Sequence, residues 1–364
     1  MKFSINQNEL QNALSVVQKG VSTKSTLPVL AGIFVSAYGD EVTFQASDLQ
    51  LSIQYTTSAL VEEEGAAVLP GKLVTDIVKN LPDAAVHLKT EELETVITCE
   101  SSSFSIKGLD PRDFPGFPEV EANESVRIPF EVFSSMARKV SKVTSKDETR
   151  AILNGVLVSV EASTLKMVAT DSFRLAVAEA HLENAPEEFQ VVIAGGFMSD
   201  LASLPKTGED ILISAADNQV IVSYHGTVFV NRRIEGNYPN YKQLIPANYE
   251  TCCIVDKSMF QAAVKRASLL GTSGSQVRFF IDADAQVLQL SSTSQDVGST
   301  QEIVKAQVDG QSIEIGFNSF YVMDGLNAIE SDTVRLELQS SMRPGVLKGD
   351  EKENYLYLVM PMKL

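Results

Sequence analysis

A unit of about 124 residues is written three times along this chain, and that repetition limits the possible folds more than any other feature. Asp48 in ASDLQL and Asp171 in ATDSFRL lie 123 residues apart, and Ser294 in SSTSQDV follows 123 later. Asp76, Asp200 and Asp324 lie in LPGKLVTDIVKNLP, IAGGFMSDLASLP and IGFNSFYVMDGLNAI, at two steps of 124. Leu10, Phe133 and Phe260 open the units, and the pairs Phe114-Pro115 and Tyr238-Pro239 close the first two. Independent anchors agreeing on one period predict three homologous domains near 1–125, 126–250 and 251–364.

Each unit has the same internal order. A strand leads into an amphipathic helix, as in INQNELQNALSVV, where Leu10, Ala13, Leu14 and Val17 recur at helical spacing. Alternating strands follow, then a short second helix after a Gly-containing turn, then two or three more alternating strands. Two helices and about eight strands per unit predict an α+β fold.

Composition removes several classes of function. With 44% hydrophobic and 21% charged residues the chain is globular. The start MKFSINQNEL lacks an apolar signal region and no long apolar run occurs, which predicts a soluble, cytoplasmic protein with no membrane association. Cys99, Cys252 and Cys253 cannot build a disulfide framework. His87, His181 and His225 stand alone, and no HExxH, CxxC, GxGxxG, P-loop or GxSxG pattern occurs. No catalytic residue, metal site or cofactor is expected.

The three α+β units, together with TLPVL (26–30), LNG (153–155), ATDSFRLAV (169–177), IEGNYPNY (234–241) and the ending YLVMPMKL (357–364), resemble the sliding-clamp family, the beta subunits of bacterial DNA polymerase III. The resemblance covers the whole chain. It implies a head-to-tail homodimer whose six domains close into a ring around duplex DNA, bound without regard to sequence. It further implies a non-catalytic tether for the polymerase III alpha subunit, the clamp loader and other proteins carrying a clamp-binding motif.

A net charge of −17 opposes DNA binding overall, so the distribution of cations matters. Residues 10–39, 132–145 and 257–281 contain no acid, and each covers the first helix of a unit or the segment after it. Lys19, Lys24, Arg138, Lys139, Lys142, Lys257, Lys265, Arg266 and Arg278 fall in those stretches, with Lys146 and Arg150 just beyond the second. Basic helices would line the hole and acids the outside. The resemblance assigns DNA contact to Lys24 and to Lys146, before Arg150, with Lys72 and Lys79 as further lining; Arg138, Lys139 and Lys142 join them from the charge distribution. Asp147 departs from that pattern, because a carboxylate cannot donate to phosphate.

The resemblance also implies a groove that takes a partner's linear peptide, carrying a glutamine and bulky apolar residues. Its positions here are Leu153, Thr170, Ser172, Phe173, Arg174, Leu175, Pro239, Leu244, Leu358, Val359, Met360, Pro361 and Met362, with Asn318, Tyr321, Met342 and Pro344 at a neighbouring subsite. Leu, Val and Met make an adaptable apolar cleft, and Thr170 and Arg174 supply polar handles at its rim. Leu175, Leu358 and Val359 read equally as strand-core residues. For ring closure the candidates are Phe104, Ile106, Leu109, Leu269 and Leu270.

Two other readings are open to a triplicated chain. A surface-binding array would carry exposed aromatic platforms, yet Trp is absent. A hydrolase using Asp48 and Asp171 would need both carboxylates within about 10 Å, whereas equivalent positions in separate domains are held apart.

Overall fold

Residues 1–22, 25–183, 186, 188–270, 276–294 and 298–364 are described by a computed structural model of the chain. The expected order recurs in all three repeats. The first contains β1 (Lys2–Asn6), α1 (Gln7–Val17), β2 (Gly32–Tyr38), β3 (Glu41–Ser47), β4 (Leu51–Ser58), β5 (Leu60–Glu63), β6 (Gly65–Pro70), α2 (Gly71–Lys79), β7 (Ala85–Glu91), β8 (Glu94–Cys99) and β9 (Ser102–Lys107). The second contains β10 (Glu124–Pro129), α3 (Phe130–Val140), β11 (Gly155–Glu161), β12 (Thr164–Thr170), β13 (Arg174–His181), β14 (Glu188–Ala194), α4 (Gly195–Ala202), β15 (Asp210–Ala215), β16 (Gln219–Tyr224) and β17 (Thr227–Arg232). The third contains β18 (Thr251–Asp256), α5 (Lys257–Ser268), β19 (Gln276–Asp282), β20 (Val287–Ser294), β21 (Gly298–Gly310), β22 (Ile313–Asn318), α6 (Ser319–Ala328), β23 (Thr333–Leu338), β24 (Gly345–Lys348) and β25 (Tyr355–Val359).

The repeat anchors have physical causes. Leu10, Phe133 and Phe260 are buried at equivalent places on the first helices, where they pack the repeat's own core. In α1 the side chains of Leu10, Ala13, Leu14 and Val17 are all at most 1% exposed, the apolar stripe the spacing requires. Asn6 and Asp256 cap α1 and α5 by accepting backbone N–H bonds. The Asp anchors are turn-makers. Asp48 Oδ1 accepts from the N–H groups of Gln50 and Leu51, and Asp171 Oδ1 from those of Phe173 and Arg174. Leu49 and Ser172, the residues after them, both adopt positive φ, 73° and 78°.

By internal packing the chain forms two units, Met1–Glu131 with Leu204–Arg233, and Val132–Ser203 with Ile234–Leu364. The first holds a five-stranded sheet, β5-β1-β7-β8-β9, and an eight-stranded one, β10-β15-β16-β17-β4-β3-β2-β6. The second is built on one twelve-stranded sheet, β14-β11-β12-β13-β25-β24-β23-β18-β21-β20-β19-β22. These units cut across the repeat period because strands from successive repeats pair through their backbones. In the first unit β17 lies against β4, with Phe229 opposite Ile53. In the second β13 lies against β25, with Arg174 opposite Val359 and Leu175 opposite Leu358.

Candidate functional site

The candidate partner groove belongs to the second unit and is organised by Arg174, the first residue of β13. This arginine is only 9% exposed. Nε donates to Asp171 Oδ2 at 2.9 Å, Nη1 to Asp324 Oδ2 at 2.5 Å and Tyr357 OH at 3.4 Å, and Nη2 to the Lys142 carbonyl at 3.2 Å. The guanidinium also lies 4.5 Å from the Tyr321 ring centre. Burial works against its charge, but Tyr357 and the carboxylates of Asp324 and Asp171 outweigh it and raise the pKa further. Burial likewise holds the Tyr357 phenol above its ordinary value. Arg174 therefore ties β13, α6, β25 and the segment after α3 together and has little left to offer a ligand. The expected place at the rim is corrected, because an internal acceptor meets each part of its guanidinium.

Around this node the backbone fixes the neighbouring side chains. Thr170 Oγ1 donates to the Arg174 carbonyl at 2.7 Å and accepts from the Ser172 N–H at 3.2 Å. Positive φ at Ser172 closes the turn, and its hydroxyl accepts from Arg150 Nη1 at 2.8 Å. The turn thrusts Phe173 outward, 56% exposed, where its ring stacks on Tyr321 with centres 6.5 Å apart. The Met360 N–H donates to the Phe173 carbonyl at 2.8 Å, so the ending folds against the Thr170–Leu175 segment as expected. Met360 is 38% exposed. Because Gly345 pairs with Val359, Pro344 stands beside Met360. The Met362 N–H donates to the Gly316 carbonyl, two residues before Asn318, which caps α6.

The other expected groove residues differ in exposure. Leu175, Leu358 and Val359 are at most 1% exposed, and β25 runs through Val359, so these three pack in the sheet core beneath the groove. Leu175 and Leu358 join Leu157, Val168, Val192 and Tyr241 in one apolar cluster, with Ile245 and Leu356 packed on it. Leu153 is 6% exposed. Pro239, Leu244 and Met342 are exposed. The site also includes Asp324, Tyr357, Tyr241 and Ile245, which the sequence does not mark as site residues. Of these, Asp324 recurs as a repeat anchor, and Tyr241 and Tyr357 stand in the segments IEGNYPNY and YLVMPMKL.

The expected DNA-facing cations divide into two groups. Lys72 and Lys79, seven residues apart on α2, are exposed on one helical face; Lys142 and Lys146 are exposed as well. None of these four makes an ion pair among the described residues. Lys139 contradicts the expectation. Its side chain is 11% exposed and bonds Glu353 at 2.9 Å and Glu330 at 3.3 Å, under the Tyr355 ring. An ammonium so enclosed cannot reach phosphate. Arg138 donates to the Ala202 carbonyl, and Arg150 is drawn to Asp147 and Ser172. Asp147 caps the 3-10 segment Glu148–Asn154; the Thr149 hydroxyl and N–H, with Arg150, hold its carboxyl below the ordinary range. In the third repeat, Arg266 and Arg278 pair with Glu302 and Glu314. Lys24 lies outside the described residues.

Of the interface candidates, Phe104 and Leu109 are each 40% exposed, Leu269 is 76% exposed and Leu270 is half-buried. Ile106 is 6% exposed and is corrected to a core residue. Cys99, Cys252 and Cys253 are free and buried, and burial pushes the Cys253 thiol up to about 12. Among the described residues no helix is long and apolar enough to cross a membrane, and no group of three or more His, Cys, Asp and Glu could hold a metal ion.

Comparison with known proteins agrees along the whole chain. The N-terminal, central and C-terminal domain families of the DNA polymerase III beta subunit match residues 1–118, 127–240 and 242–363. The beta sliding clamp of Staphylococcus epidermidis is 35% identical, over 100% of this chain and 99% of the relative. The DNA polymerase sliding clamp of Bacillus subtilis superposes with a TM-score of 0.93 at 31% identity, covering 100% of this chain and 99% of that one. The DNA polymerase III beta chain of Streptococcus pneumoniae does so with 0.94 at 28%, covering all of both. Three clamp repeats in one chain, matched end to end, place it in the DNA polymerase III beta-subunit family, the non-catalytic sliding clamps.

Proposed function

We propose that two copies of this chain close head to tail into a ring around duplex DNA in the cytoplasm. The three repeats would act as clamp domains with limits near 1–125, 126–250 and 251–364. Two open strand edges support the closure. β9 ends the five-stranded sheet, and residues 298–305 of β21 pair only with β20 among the described residues. Each edge offers free backbone N–H and C=O groups, and an unpaired edge is a template for another strand. Phe104 and Leu109 flank one edge, and Leu269 and Leu270 supply apolar surface from the repeat that carries the other. Lys72, Lys79, Lys142 and Lys146, with Lys24, would meet the phosphates weakly, since strong contact would stop sliding.

The ring would tether the polymerase III alpha subunit, clamp-loader subunits and other motif-bearing proteins at the groove of Phe173, Tyr321, Pro344, Met360, Pro361 and Met362. The observation that carries this reading is the exposure of Phe173 and Met360, bulky apolar side chains joined through one backbone hydrogen bond on a rigid base. Light scattering at micromolar concentration tests the assembly. The expected mass is twice the 39.6 kDa of one chain; a stable monomer would contradict it.

A further inference from the structure

A cavity of about 260 Å³ opens on the twelve-stranded sheet beneath the segment that joins the second and third repeats. Arg335, Glu337, Lys348 and Leu356 line it from the sheet, and Ile245 and Tyr249 from the segment. Arg335 and Glu337 are two apart on β23, and Lys348 stands opposite Arg335 on β24, so all three side chains share one face. Glu337 is 8% exposed and both its oxygens are taken: Oε1 accepts from Arg335 Nη2 at 3.1 Å and Oε2 from Lys348 Nζ at 2.7 Å.

One carboxylate therefore serves two cations. A triad that only held the sheet together would balance its charge, whereas this one leaves a positive excess in a chain of net charge −17. Arg335 Nε is buried and meets no oxygen or nitrogen acceptor among the described residues, only the neighbouring Cys252 thiol, so the guanidinium is under-satisfied as well as under-neutralised. We propose that the cavity binds a carboxylate, supplied by an acidic side chain of the peptide that lies in the neighbouring groove. This rests on the groove reading above. The volume is below that of ordinary small-molecule pockets and suits one side chain. Val346 and Leu356 receive its aliphatic stem, and Lys348 and Arg335 its oxygens.

The cavity and the groove are joined by shared residues. Leu356 and Ile245 line the cavity and also pack on the Leu175–Leu358 cluster beneath the groove. Leu356 precedes Leu358 by two residues on β25, about 7 Å along the strand. Met360 is four residues from Leu356, about 13 Å along the strand, so an extended peptide seated against Met360 reaches the cavity with a residue about four positions along.

Two titrations of the full chain test this. In the first, acetyl-glutamate amide is added while the Arg335 15Nε resonance is followed, with acetyl-glutamine amide as the uncharged isostere. A saturable shift is expected with the glutamate only, abolished by Lys348→Met; equal shifts from both, or none, would overturn the cavity's role. In the second, a labelled peptide with a glutamine and bulky apolar residues is extended to carry Glu or Gln about four positions along. The Glu form should bind wild type about two- to fivefold more tightly, the scale of one partly exposed ion pair. That ratio should fall to about one in Lys348→Met while the Gln form is unaffected. Equal binding of the two extensions to wild type would overturn the peptide as the source. A glutamate response without binding of either peptide would support the carboxylate site and overturn the groove reading.

Discussion

Arg174 and Asp324 stand 150 positions apart in the chain, yet Arg174 Nη1 lies 2.5 Å from Asp324 Oδ2. Asp324 comes from α6 of the third repeat and Arg174 from β13 of the second, so their bond pins one wall of the groove to the other. Replacing Arg174 with Met removes the shared cation and leaves Asp171 without its side-chain partner. Breaking a largely buried pair costs about 2–4 kcal/mol here, since Asp324 is itself partly exposed. Amide exchange in β13 and β25 should accelerate about thirty- to thousandfold, the same energy expressed as a ratio. Unchanged exchange would show that Arg174 is not the node.

Met360 and Val359 are neighbours with opposite fates, 38% and 0% exposed. Met360→Asp should weaken a clamp-binding peptide by about thirtyfold, from ~2 kcal/mol for a missing apolar anchor, with the melting temperature unchanged. Val359→Asp should instead collapse the fold, because an unpaired buried carboxylate costs several kcal/mol. Fluorescence anisotropy and thermal unfolding on the two variants separate these outcomes. A fall in melting temperature with Met360→Asp would make Met360 a core residue.

The lysines predict two different losses. Charge reversal at Lys72, Lys79, Lys142 and Lys146 should weaken retention on linear duplex DNA, where no topology holds the ring, and flatten its salt dependence, by up to about 0.9 in slope for each phosphate no longer neutralised. The dimer mass should not change. Lys139→Met should leave the salt slope alone and lower thermal stability, because Glu353 would remain buried without its cation. Weaker DNA retention from Lys139→Met at unchanged stability would contradict the inward placement.

Asp147 makes a pH prediction. Its folded pKa lies below the ordinary carboxylate value of about 3.9, through the Thr149 hydroxyl and N–H first and Arg150 after them. A depressed carboxyl stabilises the fold above its unfolded pKa, and that contribution disappears as pH falls through the lower, folded value. A 13C titration of the Asp147 carboxyl should therefore find its midpoint below the ordinary one. Thr149→Ala should move it upward more than Arg150→Ala does. A midpoint at or above the ordinary value would remove the cap.

The legible part of the fold was its periodicity. Leu10, Phe133 and Phe260 mark the cores, and Asp48 and Asp171 mark the same Asx turn, because each repeat must solve the same local problem. Departure from the repeat also carried information. The turn that ends in Leu51 in the first repeat ends in Arg174 in the second, a guanidinium where a buried leucine stands elsewhere. What periodicity could not give is which side chains meet across repeats. Lys139 and Glu353 are 214 residues apart, and a basic helix face reads as solvated until the turn that covers it is known. Likewise the ending YLVMPMKL does not reveal where β25 stops, so Leu358 and Val359 could not be told from exposed groove residues until their pairing with β13 was seen.

Topological tethering is the central claim, and linearisation of the DNA tests it most directly. The chain is loaded onto a nicked circle, and retention is measured before and after a single cut elsewhere in the circle, across a salt series. A sliding ring stays on the circle with little dependence on salt and runs off the ends within the same measurement once the DNA is linear. Equal retention on both forms, or release from the intact circle that tracks salt as steeply as ordinary phosphate binding does, would contradict it.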